Sequence, residues 1–170
     1  MIPDDVKKKY PNLEKFWPYL DLLNKESDRG KVLISTGFLE EHLKEILLAF
    51  MLDVPQAEEL LDGGNAPLAT FSSRITACYA LGLISKEEHD DLHLLRRIRN
   101  DFAHDIHTSF ETQSVINRCR ELKHKAHDYG DVVVSPVGQF STAATGLIMS
   151  LTNRPHYVRK QKRASPNWPH

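Results

Sequence analysis

Residues 85–104 read SKEEHDDLHLLRRIRNDFAH, and this stretch decides the fold class. Ser85 is followed three positions later by Glu88, the reciprocal pairing that closes the first turn of a helix. Glu87, Glu88, Asp90 and Asp91 occupy the opening turns, and Arg96, Arg97 and Arg99 the later ones. That order suits the helix dipole. Leu92, Leu95, Ile98 and Phe102 recur at steps of three and four, which makes one apolar stripe on a helix. The pattern predicts a helix over residues 85–103.

The same period extends in both directions. Upstream, residues 12–25 place Leu13, Phe16, Trp17, Leu20 and Leu23 on one stripe behind Asn12 as N-cap. Pro18 inside that run predicts a kink or a later start. Residues 28–52 carry Val32, Leu39, Leu43, Ile46, Leu47 and Phe50, widened by Phe38, Leu48 and Leu52, as a central helix requires. A short piece over 55–61 ends at Gly63-Gly64. Asn65 as cap and Pro67 in a first turn predict a helix over 67–81, stopped by Gly82. Downstream, helices are predicted over 112–128 and 139–152. Between them Val132, Val133 and Val134 precede Ser135-Pro136; with no partner strand, this reads as an extended connector. The expected architecture is all-α, a single bundle of six or seven helices over residues 1–153, followed by a basic, flexible tail over 154–170.

A chain of 170 residues with 41% hydrophobic side chains is long enough to bury one core without disulfides. Cys78 and Cys119 have no CxxC spacing, which argues against a disulfide scaffold or a cysteine zinc finger. No apolar run reaches the length of a membrane span. The N-terminus has no apolar core of a secretory signal. A cytoplasmic protein with no membrane contact is expected.

Charge is unevenly placed. Of 22 basic residues, five (Arg154, Arg159, Lys160, Lys162 and Arg163) fall in 154–170, leaving 17 against 23 acidic residues before them, a net of −6. An acidic body is the wrong field for gripping a nucleic-acid duplex. Helix 67–81, the Leu81–Ser85 turn and helix 85–103 imitate a helix-turn-helix. Its second helix, however, would point Glu87, Glu88, Asp90 and Asp91 at the bases, so direct DNA reading is not expected.

Nine histidines raise the question of a metal. His89 and His93 stand four apart, half of a zinc site, with Asp90 beside them. Their polar stripe points to solvent, and the pairs His104/His107 and His124/His127 have no assignable third ligand; no metal and no cofactor are expected. No phosphate loop or nucleophile elbow is present.

The run Arg99-Asn100-Asp101-Phe102-Ala103-His104 resembles the Arg-x4-His motif of the HEPN families, which are all-α and include metal-independent ribonucleases. That resemblance implies Arg99, Asn100 and His104 as a catalytic set. Five residues on a helix, however, separate two side chains by about 140°. Arg99 and His104 meet only where the helix ends between them or a second subunit completes the site. The bland alternative makes Arg99 a core-edge cation bonded to a neighbouring helix, and His104 an imidazole at a helix C-terminus.

A broader order of motifs covers residues 15–125. Ser27-Asp28-Arg29-Gly30 opens the central helix, followed by Leu39-Glu40-Glu41, Gly63-Gly64, Ala66-Pro67-Leu68 and Phe71-Ser72-Ser73-Arg74-Ile75. Tyr79-Ala80-Leu81-Gly82-Leu83-Ile84 then leads to Ile98-Arg99-Asn100 and Phe102-Ala103-His104. This order resembles the mannitol operon repressor family. The resemblance implies an all-α transcriptional regulator, not an enzyme, that acts indirectly through other regulatory proteins. It leaves room for a homodimer. Arg29, Arg74, Arg99, Phe102 and His104 are its structural or interface candidates. A cation at the N-terminus of the central helix opposes the dipole, so Arg29 is expected to meet an acidic partner from another helix or subunit.

Overall fold

The computed structural model describes residues 16–162 and 164–169; the expected Asn12 cap and Leu13 lie outside them. Six helices of nine residues or more carry the fold: α1 (Phe16–Lys25), α2 (Asp28–Phe50), α4 (Phe71–Ala80), α5 (Lys86–His104), α6 (Gln113–Glu121) and α7 (Pro136–Thr152). Two single turns, α3 (Pro55–Glu59) and α8 (Arg154–Val158), complete them. Among the described residues there is no strand; Tyr129 and Val132 form an isolated bridge in the loop before α7.

The central position of α2 follows from its breadth of apolar residues. Val32, Leu39, Leu43, Ile46 and Leu47 are fully buried, and the helix packs against α7, α5, α4 and α8. Burying a Leu or Ile contributes about 1.5–3 kcal/mol, so this seam dominates the core. Ser27 caps α2, its hydroxyl accepting from the Gly30 N–H. Described α1 covers Phe16–Lys25 and includes Pro18, which offers no backbone donor.

Three departures from expectation have a tertiary reason, and α7 also opens three residues early, at Pro136 behind the Ser135 cap, inside the expected extended connector. Residues 65–70 are not helical; α4 starts at Phe71, capped reciprocally by Thr70 and Ser73. The Leu68 N–H donates to the Leu60 carbonyl at 2.9 Å, and Arg74 Nε takes the Leu68 carbonyl at 3.0 Å. These bonds hold the Asn65–Pro67 stretch in turns. Helix α6 stops at Glu121 and does not run to 128. The buried carboxylate of Asp91 accepts the N–H groups of Lys123 and His124, which turns the chain away. Residues 154–162 are not a loose tail. Pro155 and Val158 of α8 are buried, and Lys162 pairs with Asp53 at 2.5 Å.

The α4–α5 turn shows why glycine ends α4. Gly82 has φ +71°, and the Leu83 N–H reaches the Cys78 carbonyl while the Gly82 N–H reaches that of Tyr79. This double bond pattern needs a left-handed residue at position 82.

Candidate functional site

The motif residues of α5 do not form one site. Helix α5 stays regular to His104, so Arg99 and His104 project about 140° apart. Arg99 Nη1 donates to the Asn100 side-chain oxygen at 3.2 Å, a contact with its own neighbour and not with another helix. His104 is exposed in the last turn. Ile98 and Phe102 are buried, as the stripe requires.

Arg29 and Arg74 are anchored, and both bind carbonyls. Arg29 Nη2 donates to the Asp105 and Ile106 carbonyls at 3.0 Å each. Its guanidinium lies 5.7 Å from the Phe102 ring centre. The expected acidic partner is thus replaced by the C-terminal end of α5, whose free carbonyls carry partial negative charge. Arg74 is buried and donates to Leu68, Leu61 and Glu40 carbonyls, tying α4 to the α3–α4 loop and to α2.

Two of the acids at the start of α5 are internal. Glu88 is buried; it receives Arg154 Nη2 at 2.6 Å and Ser150 Oγ at 3.1 Å. Burial opposes its charge, but the bonds from Arg154, the Ser85 N–H and Ser150 outweigh it and hold the carboxyl below its ordinary range. Asp91 is fully buried and also receives the His124 Nδ1 at 2.8 Å. The start of α5 is therefore tied to α8 and to the loop after α6. In a helix-turn-helix it would have to be free to enter a groove.

His89 and His93 are half-buried, not turned to open solvent. The rings of Tyr79, His89 and His93 touch in sequence, the first pair tilted and the second edge to face, with centroids 4.5 and 4.6 Å apart. His89 Nδ1 lies 3.0 Å from Asp90. Among the described residues no three His, Cys, Asp or Glu side chains converge on a metal position.

Two of the concavities have charged linings. The larger, about 880 Å³, lies between the end of α2, α3 and α8, and is lined by Glu45, Ala49, Asp53, Glu58, His156 and Arg159 among others. Leu52 and Val54 in its lining are exposed at 36% and 41%. Exposed apolar side chains set in a charged lining are found at protein interfaces. Sequence reasoning missed this groove, because residues 154–162 complete it and read as tail. The smaller cleft, about 590 Å³, lies between α5 and α6 beside the histidine pair.

Comparison with known proteins agrees with the fold. The family model described as "Mannitol repressor" matches residues 20–137. The mannitol operon repressors of Escherichia coli strain K12 and of strain O6:H1 are each 42% identical over 48 residues, 28% of this chain. The chain matches about a quarter of the length of these curated relatives. Among solved structures, that titled "X-ray structure of the MtlR-HPr complex from Escherichia coli" matches with TM-score 0.58 at 22% identity, covering 85% of this chain and 98% of that one.

Proposed function

The chain belongs to the mannitol repressor family, and from that premise we propose that it regulates transcription indirectly, through contact with a protein partner of the HPr kind. The family match across residues 20–137 is the observation that carries this reading. The repressor named in the solved complex binds HPr, and the same fold here supports an equivalent contact. The net of −6 before residue 154 favours a protein partner over a polyanion. We assign the partner to the groove of α2, α3 and α8, where Leu52 and Val54 supply apolar area beside Glu45 and Glu58.

The test is co-elution of the full chain with HPr from the same organism on size exclusion. A shared peak is expected, and Val54→Asp should split it without lowering the melting temperature. Separate peaks with the unaltered chain would sink the partner; a shared peak that survives Val54→Asp would move it to another face.

The reading is non-enzymatic, and the divergence of Arg99 and His104 along a regular α5 supports it. Incubation with structured and unstructured RNA without metal should leave both intact. Cleavage lost in folded Arg99→Ala and His104→Ala variants would restore the ribonuclease reading.

A further inference from the structure

The cleft between α5 and α6 gathers cations that the fold does not use. Arg96 and Arg97 reach it from α5, Arg120 from the end of α6, and Lys123 from the loop that Asp91 pins. Among the described residues none of these four side chains has a hydrogen bond or ion pair to a carboxylate. The carboxylates nearby are largely committed: Asp90 to Lys86 at 2.5 Å and to His89, and Asp91 to backbone N–H groups and His124. Exposed Glu121 is the one lining acid without such a bond among the described residues. Arg96 also carries a buried Nε with no hydrogen-bond partner among them. A buried guanidinium donor left unmade costs free energy until something accepts it.

Like charges collect in this way against the trend of the body, which is net −6 before residue 154. Mutual repulsion, and the unpartnered Nε of half-buried Arg96, have no structural return, because among the described residues Arg96, Arg97 and Arg120 bridge no elements. A bound dianion would relieve both. Guanidinium forks match phosphate oxygens in pairs, and a phosphomonoester carries nearly two charges near neutral pH. The remaining space, about 590 Å³ in all, is that of a small-molecule site. Leu94 and the His89–His93 pair supply apolar and ring surface beside the cations. A long polyanion fits worse, since the chain before residue 154 carries a net of −6.

We propose that the α5–α6 cleft is a binding site for a small phosphomonoester, with Arg96, Arg97, Arg120 and Lys123 holding the phosphate. This site is separate from the partner groove and does not depend on the partner reading.

The experiment is calorimetric titration of the full chain with glucose 6-phosphate, inorganic phosphate and free glucose, with duplex DNA in a fourth arm. Glucose 6-phosphate should bind saturably, inorganic phosphate more weakly, and glucose not at all. Arg96→Gln and Arg120→Gln should each weaken glucose 6-phosphate at least about tenfold, the effect of losing roughly one charge-assisted contact. Arg99→Gln, outside the cleft, should leave it unchanged. Melting temperatures of the variants near that of the parent keep the comparison valid, and Lys123→Gln, on an exposed loop, serves should one of them unfold. Absence of saturable binding of either phosphate would overturn the site. So would binding that survives the cleft substitutions, or binding confined to DNA.

Discussion

A carboxylate with no exposure must find its hydrogen bonds inside the protein, and Asp91 takes three from the two backbone N–H groups and the ring of Lys123 and His124. Asp91→Ala leaves those N–H groups without an acceptor. It should destabilise by about 1–3 kcal/mol, a fall in melting temperature of roughly 2–4 °C per kcal/mol for a chain of this size. Glu88 gives a dependence on pH. Its carboxyl is held below the unfolded value of 4.5. Its contribution is therefore present above about pH 4.5 and lost as pH falls through the lower folded value. Thermal melts from pH 6 to pH 3 should show that loss, and Glu88→Gln should remove this part of the slope. Burial pushes the thiols of Cys78 and Cys119 up to about 12, Arg154 and Arg74 opposing it at Cys78. Since the thiolate is the reactive form, iodoacetamide should label neither until the protein is denatured. Labelling at native conditions would contradict the packing. Residue roles were only half legible in the sequence. Arg29 stood out as a cation that needed a partner and Arg74 as a structural candidate, but nothing in the local pattern says that backbone carbonyls from other elements would hold both.

Helix ends show where local signals lose to tertiary contacts. The Ser85–Glu88 cap and the Gly82 stop were legible because all their bonds lie within a few residues. Asn65 with Pro67 is an equally good local start, yet Thr70 caps α4, because Leu60 and Arg74 claim the backbone of Leu68. Thr70→Ala should therefore cost about 1 kcal/mol, while Asn65→Ala stays within roughly 0.5 kcal/mol. Urea melts of the two variants decide between the caps. The end of α6 was illegible for the same reason: the acid that turns the chain is Asp91, about thirty residues upstream.

At the scale of the molecule, the apolar periodicity fixes one core around α2, and that core was readable. The C-terminal segment was not. Arg154, Lys160 and Lys162 look like a solvated basic end, yet Arg154 is bound to buried Glu88 and to the Leu83 carbonyl at 2.9 Å. A chain ending at Asn153 should lose that ion pair, the buried Pro155 and Val158, and one wall of the partner groove. It should melt lower than the full chain and fail to hold the partner. An unchanged melting temperature would contradict the packing of α8.

Indirect regulation rests on a protein contact, so the most direct measurement is calorimetric titration of the full chain with HPr from the same organism at physiological salt, beside a gel shift of duplex DNA from the regulated promoter. The expected result is a saturable heat with HPr and no sequence-dependent shift of the DNA. No heat with HPr, together with a specific DNA shift by the same preparation, would contradict it.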